Sequence, residues 1–236
     1  LKKGKLYLIP TTLGDNAPFE VLPITVKKAI EDIDHYIVET EKVARRFIKN
    51  IYPGKSQPKL TIYHLNKFTN TEEMIHYLDV CDQGISVGLL SDAGCPAIAD
   101  PGADIVKLAH DKGIEVIPLV GPSSILLSMM ASGMNGQGFS FNGYLPIDKQ
   151  DRKQKIKQLE KLSKELNMSQ SFIETPYRNN QIFEELLKTL HHDTRLCVAC
   201  DITLNTQFIK TTTAAKWSKI KVDLHKRPTI FIIHKD

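Results

Sequence analysis

The chain has 236 residues, 42% of them hydrophobic and 25% charged, and a formal net charge of +4. That is enough apolar material for one large core or two smaller ones, and the mild positive charge permits an anionic partner without requiring one. No stretch reaches the roughly 18 apolar residues of a membrane span. Four cysteines in a chain of this length do not make a disulfide framework.

The opening residues Leu1-Lys2-Lys3-Gly4 lead into a strand over 5–9 and not into an apolar leader, so a cytoplasmic location is expected. Hydrophobic periodicity then predicts a helix over 24–33, a strand over 35–39 and a helix over 41–51 capped by Thr40. A strand follows over 60–65, and Asn70 opens a helix running to about Gly84. The apolar run 85–90 reads as a fourth strand. It is followed by small residues, then by Asp100 as N-cap, Pro101 in the first turn, and a helix ended by Lys112-Gly113. A fifth strand spans 115–120. This alternation implies a mainly parallel sheet covered on both faces.

After Val120 the rhythm changes, and a second α/β domain is expected over 121–236, the first occupying 1–120. Its elements read as an apolar helix over 125–131, a strand over 139–144, a charged helix over 151–166, a strand over 171–174 and a helix over 180–191. Strands over 195–202 and 207–212, a short helix near 215–220 and a last strand over 229–234 complete it. Short connections between neighbouring strands point to a mixed sheet. Cys197 and Cys200 lie three apart on one of these strands, on opposite faces, and read as small buried residues and not as a redox or zinc pair.

Three loops stand at the ends of strands in the first half: Pro10 to Asp15, Ser91 to Asp100, and Gly121 to Ser124. Parallel strands share a carboxyl edge, so these loops can meet in one crevice. Their residues are small, hydroxylated or Gly/Pro, with the acid Asp92 among them. There is no Walker motif, no G-x-G-x-x-G, no nucleophile elbow and no metal-ligand spacing. His191-His192 reads as a solvated helix end. A site with this inventory suits a cofactor that brings its own reactivity.

Two cationic faces could meet a polyanion. Lys42, Arg45, Arg46 and Lys49 fall at i, i+3, i+4 and i+7 of one helix; Lys149, Arg152 and Lys153, with Lys155 and Lys157, lead into another. Solvated helix faces of this kind are the plainer reading of both.

The strings Leu6-Tyr7-Leu8-Ile9-Pro10-Thr11, Leu90-Ser91-Asp92-Ala93-Gly94-Cys95-Pro96-Ala97-Ile98-Ala99-Asp100-Pro101-Gly102, Pro118-Leu119-Val120-Gly121-Pro122-Ser123-Ser124 and Phe141-Asn142-Gly143-Tyr144-Leu145-Pro146 resemble the tetrapyrrole methylase superfamily. Within it they are most similar to the bacterial ribosomal RNA small subunit methyltransferase I type, which 2′-O-methylates a cytidine. The resemblance implies two α/β domains, a homodimer, and S-adenosylmethionine bound in the cleft between the domains. Carried residue by residue, it places the cofactor against Pro10, Asp92, Ala93, Cys95, Ser123 and Ser124, and against Glu174, Ile202 and Pro228. With small-subunit RNA as the implied acceptor, the alcohol must lose its proton as the bond forms, and Asp100, Glu39 and Asp92 are the carboxylates of the cleft. Asp100 and Glu39 are the catalytic candidates, with a plain helix N-cap and a solvated turn as their structural readings.

The chain departs from that type at Pro10-Thr11-Thr12-Leu13-Gly14-Asp15, where the family reads Pro-Thr-Pro-Ile-Gly-Asn. It departs again at Val38-Glu39-Thr40-Glu41-Lys42, where the family reads Ala-Glu-Asp-Thr-Arg, and at Lys226-Arg227-Pro228 in place of Lys-Gly-Glu. A methyltransferase for a small or tetrapyrrole-like acceptor, or a non-catalytic protein that binds S-adenosylmethionine or RNA, therefore stand as alternatives.

Overall fold

A computed structural model describes residues 2–66 and 68–236. The chain forms two compact units, one ending at Ser123 and the other spanning Ser124–Asp236. No helix among the described residues is long and apolar enough to cross a membrane.

In the first unit, β1 (Leu6–Ile9), β2 (His35–Val38), β3 (Thr61–His64), β4 (Val87–Leu90) and β5 (Val116–Pro118) form one sheet in the order β3-β2-β4-β1-β5. Every pairing in it is parallel, as the alternation of elements implied. Side chains alternate across the sheet. On one face Ile9, Tyr36, Val38 and Leu90 pack under α1 (Ile24–Asp32) and α2 (Glu41–Ile51), through Val26 and Ile30 of the first and Phe47, Ile48 and Ile51 of the second. On the other face Leu6, Ile37, Val87 and Leu89 pack under α4 (Ala103–Asp111), through Ile105 and Ala109. Each such fully buried side chain contributes about 1.5–3 kcal/mol. The helices that follow β1 and β2 thus cover one face, and the helix that follows β4, which lies between them, covers the other. Chain leaving adjacent strands in opposite directions opens a crevice at their carboxyl ends.

Two expectations are corrected here. The helix expected from Asn70 to Gly84 is α3 (Thr71–Met74), capped by Asn70, followed by tight turns and a 3₁₀ segment at Asp79–Gln83. Tyr77, Leu78 and Cys81 all go into the core, and the backbone of this segment closes i→i+3 bonds, Tyr77 to Met74 and Cys81 to Leu78 among them. Asp100 does not cap α4. The chain passes through left-handed conformations at Ala97 (φ 64°) and Ala99 (φ 61°), and Gly102, at φ 139°, takes the N-cap position. Asp100 and Pro101 therefore lie outside the helix.

In the second unit β6 (Phe139–Tyr144), β7 (Ser169–Ile173), β8 (Arg195–Cys200), β9 (Phe208–Thr213) and β10 (Thr229–His234) are ordered β6-β7-β10-β8-β9. β6 and β7 are parallel and the other pairs antiparallel, the mixed sheet expected. Phe172, Leu196, Val198, Cys200, Phe231 and Ile233 line one face, under α6 (Lys149–Leu166), α7 (Asn179–Thr189) and Trp217 of the one-turn α8 (Ala214–Trp217). Trp217 donates its indole N–H to the Leu196 carbonyl at 2.8 Å, which satisfies its one polar atom. Cys197 falls on the opposite face from Cys200, and both thiols are buried and free. α5 (Ser124–Ser132) carries Ile125, Ser128, Met129 and Ser132 on its buried side.

Candidate functional site

The site is built at the carboxyl ends of β1, β2 and β4. Register fixes it: Ile9 pairs with Leu90, and Val38 pairs with Leu90 from the other side. Two residues beyond those pairs, Thr11, Asp92 and Thr40 come to one place. Thr40 donates its hydroxyl to Asp92 Oδ2 at 2.7 Å and its backbone N–H to Oδ1 at 3.2 Å. The hydroxyl expected to cap α2 instead holds this carboxylate, and α2 begins with no side-chain cap.

The Pro10 turn is fastened from two directions. Thr11 donates its backbone N–H to the Gly94 carbonyl at 2.9 Å. Gly121 lies flat against Pro10, so close that a Cβ built there would stand 2.2 Å from the proline Cγ. Only glycine fits that approach. Cys95 Sγ lies 3.4 Å from the Pro122 carbonyl oxygen, and burial pushes its thiol pKa up, so the group is a protonated donor and not a nucleophile. Ser91 donates its hydroxyl to the Gly94 carbonyl at 3.1 Å, which closes the turn after β4. The three loops singled out in the sequence thus converge: Pro10, Asp92, Ala93, Cys95 and Ser123 belong to connected turns of one unit.

Three carboxylates share the region. Burial first, then the neighbouring charges of Glu39 and Asp92, push the Asp100 pKa up to about 6. Burial, then Asp92, raises Glu39 as well. Asp92 alone is held by two donors. The arrangement holds the Asp92 carboxyl by two donors beside a carboxyl group whose pKa burial raises, the direction that suits a general base.

Residues of the second unit form their own group. Glu174, 4% exposed, follows β7. Its Oε1 accepts from the Thr175 backbone N–H at 2.7 Å and from Arg178 Nη2 at 2.6 Å, while its Oε2 is buried with no partner. Asp201 donates its backbone N–H to the Pro228 carbonyl at 2.9 Å, and Lys226 donates to the Pro176 carbonyl at 3.0 Å. These bonds tie the segments carrying Glu174, Ile202 and Pro228 into one cluster. Ser124 opens α5, whose far end is bonded from Thr211 to Ser132 at 2.7 Å. Nothing in the residue pattern announces the link from Asp201 to Pro228, whereas Glu174 and Arg178 stand four residues apart and could have been paired from the sequence.

The cationic faces need correction. Arg152 is 3% exposed, with Nε and Nη2 on the two oxygens of Glu185 at 2.6 and 2.8 Å and Nη1 on the carbonyls of Pro146 and Ile147. It fastens α6 to α7 and does not face solvent. Arg45 is engaged by Glu41 and by the Gln57 carbonyl, both at 2.7 Å. Lys42, Arg46, Lys49, Lys149 and Lys153 are exposed. At the other end of the second unit, His191, His192 and Asp193 are exposed and close enough to offer three ligand atoms to a metal, but Asp193 is already paired with His191 and Lys235. A groove of about 690 Å³ lies at the amino edge of the first sheet, beside His35 and Ser86, away from the converging loops.

No family model matches the chain. Among curated proteins it is similar to "Ribosomal RNA small subunit methyltransferase I" of Vibrio cholerae serotype O1, 30% identical over 203 residues, covering 84% of this chain and 65% of that protein. The protein of the same name from Buchnera aphidicola subsp. Schizaphis graminum is 28% identical over 98% of this chain and 78% of its own length. That from Halalkalibacterium halodurans is 30% identical, and the chain spans 61% of it. The chain thus covers less than two thirds of the length of two of these three relatives. Among solved structures, the methyltransferase CobJ superposes with a TM-score of 0.63 at 16% identity, covering 98% of this chain and 94% of that one. Uroporphyrin-III C-methyl transferase from Thermus thermophilus, complexed with S-adenyl homocysteine, gives 0.56 at 15% identity, with 98% of both chains covered. At such identities these structures share the fold. The resemblance read from the motifs, and the two-sheet α/β fold it implied, are both borne out.

Proposed function

We propose, on the premise that this chain is a relative of the ribosomal RNA small subunit methyltransferase I proteins, that it is an S-adenosylmethionine-dependent methyltransferase acting on the ribose 2′-oxygen of an RNA of the small ribosomal subunit. The observation that carries the proposal is the meeting of three glycine- and proline-rich turns around a fixed carboxylate, at the crevice where the helices after β1 and β4 diverge.

The residues present fit the cofactor. Pro10, Ala93, Cys95 and Ser123 offer backbone groups beside small side chains, and Asp92 offers a held anion. In the second unit the resemblance assigns Ser124, Ile202, Pro228 and Glu174 to the cofactor, and Glu174 Oε2 is buried there with no hydrogen-bond partner. The cofactor, when bound, supplies a sulfonium-activated methyl group. What remains for the chain is to align the acceptor and accept its proton. Asp100, its pKa pushed up to about 6 by burial first and by the Glu39 charge second, is assigned the base, and Glu39 a supporting place beside it. The exposed Lys42, Arg46, Lys49, Lys149 and Lys153 attract the RNA backbone. The chain is assigned to the cytoplasm and to a homodimer, on the resemblance.

Calorimetric titration with S-adenosylmethionine and S-adenosylhomocysteine, repeated with Asp92→Ala, tests the cofactor assignment. Absence of binding by either ligand would remove every enzyme reading. Transfer of labelled methyl to deproteinised small-subunit RNA, against a tetrapyrrole control, then decides the acceptor. Binding without transfer to either would leave the non-catalytic alternative, and sedimentation velocity would report the dimer.

A further inference from the structure

A cavity of about 110 Å³ opens between the loop after β1 and the outer face of α2, lined among others by Thr12, Asp15, Arg46, Phe47, Asn50 and Asp92. It is well below the roughly 300–1,000 Å³ of sites that enclose a whole cofactor-sized ligand, so it receives one group of a larger molecule. It shares Asp92 and Ala93 with the proposed cofactor site, and so adjoins that site.

Its chemistry is mixed. Phe47 offers an apolar wall, being 6% exposed and otherwise packed in the core. Asn50 can both donate and accept. Arg46 and Asp15 stand at the mouth with Nη2 and Oδ1 4.0 Å apart, their side chains 68% and 100% exposed. That is a loose pair. Arg45 and Arg152, by contrast, are each committed to a carboxylate and a carbonyl. Of the arginines on the two expected cationic faces, Arg46 is the one whose guanidinium fork is available to a phosphate.

We propose that this cavity is the anchoring subsite for one nucleotide of a single-stranded RNA acceptor, with Arg46 on its phosphate, Asp15 accepting an N–H from the base edge, and Phe47 beside the ring. The inference rests on the RNA reading above and adds to it where and how the acceptor is held. A cation at the mouth takes the anionic part of a nucleotide, and an acceptor-only carboxylate beside it takes the donor part. A plain polyanion site has no use for Asp15, whose charge would oppose it.

That difference in sign makes the test. Binding of a fluorescein-labelled twelve-nucleotide single-stranded RNA to the full chain, with S-adenosylhomocysteine present, is followed by anisotropy over a salt series. Arg46→Gln is expected to weaken binding about tenfold and reduce the log–log salt slope by about 0.7, the loss of one phosphate contact on a single strand. Asp15→Ala is expected to weaken binding although it makes the protein more positive. Thr12→Phe, which narrows the cavity without altering charge, is expected to weaken it with the slope unchanged. Lys49→Gln, on the same helix but outside the cavity, serves as the general-patch control. Tighter binding by Asp15→Ala, or equal losses for Arg46→Gln and Lys49→Gln, would overturn the subsite and leave a diffuse basic surface. Absence of RNA binding by the unaltered chain would overturn it too. In that case calorimetry with the cofactor separates failure of the subsite from failure of the methyltransferase reading, and pull-down of ribosomal protein instead of RNA would name the competing partner class.

Discussion

Replacing Gly121 by alanine adds one methyl group where Pro10 already stands. The new carbon would lie 2.2 Å from the proline Cγ and 2.3 Å from its Cβ, with Leu22 at 3.4 Å as the next neighbour. Gly121 has no positive φ, so alanine meets no backbone penalty, and the whole effect is the collision. A proline ring closed on the backbone has no rotamer to escape into, so the Pro10 turn must retreat by more than an ångström. Overpacking of this kind costs about 1–3 kcal/mol. In a chain of this size that corresponds to a fall in Tm of roughly 2–12 °C. Because the turn that moves is bonded to Gly94, the Asp92 loop shifts with it, and cofactor affinity is expected to fall by at least about tenfold, or 1.4 kcal/mol. Gly136→Ala is the control: no atom lies within 4 Å of the added carbon, and stability should stay within about 0.5 kcal/mol. Thermal unfolding and calorimetric titration read the two effects. Unaltered Tm and cofactor affinity in Gly121→Ala would refute the proposed fastening of the Pro10 turn and its place in the site.

Three further outcomes are expected. Asp100 holds its proton up to about pH 6 when folded but loses it near 4 when unfolded, so its contribution to stability falls as pH rises through that window. Asp100→Asn should therefore be more stable than the parent at pH 8 and equal to it near pH 4 by urea midpoints, and should lose the rise in transfer rate through about pH 6. Arg152→Ala strands the Glu185 carboxylate, which Arg152 holds below its usual pKa, and frees two carbonyls; a loss of about 3–5 kcal/mol is expected in denaturant unfolding at pH 7. The parent's share from that pair should fade as pH drops through the lowered Glu185 value. Thr40→Val removes the hydroxyl that holds Asp92; it should cost no more than about 1.5 kcal/mol of stability while weakening cofactor binding, with Thr40→Ser restoring it.

The order of elements was readable because each helix and strand carries its own period: α2 is found at its expected 41–51, and β6 and β10 fall where their apolar runs begin and end. The misreadings lie where distant residues decide. Asp100 has the chemistry of a cap, but left-handed turns at Ala97 and Ala99 delay the helix to Ala103. Arg152 has the spacing of a solvated stripe, yet Glu185, 33 residues on, draws it inside. The convergence of Pro10, Asp92 and Gly121 was legible from the rule that parallel strands share an edge. The grip of Thr40 on Asp92 was not, because it follows from β2 and β4 being neighbours in register, and strand order is written in no local pattern.

Because the helices after β1 and β4 leave toward opposite faces, the mouth at their ends comes from the winding of the backbone and owes nothing to any one side chain. Rim positions that take no part in fastening the Pro10 turn or holding Asp92 can change while the opening persists. The same architecture can therefore take a different guest when such rim positions, Thr12 and Asp15 among them, are replaced.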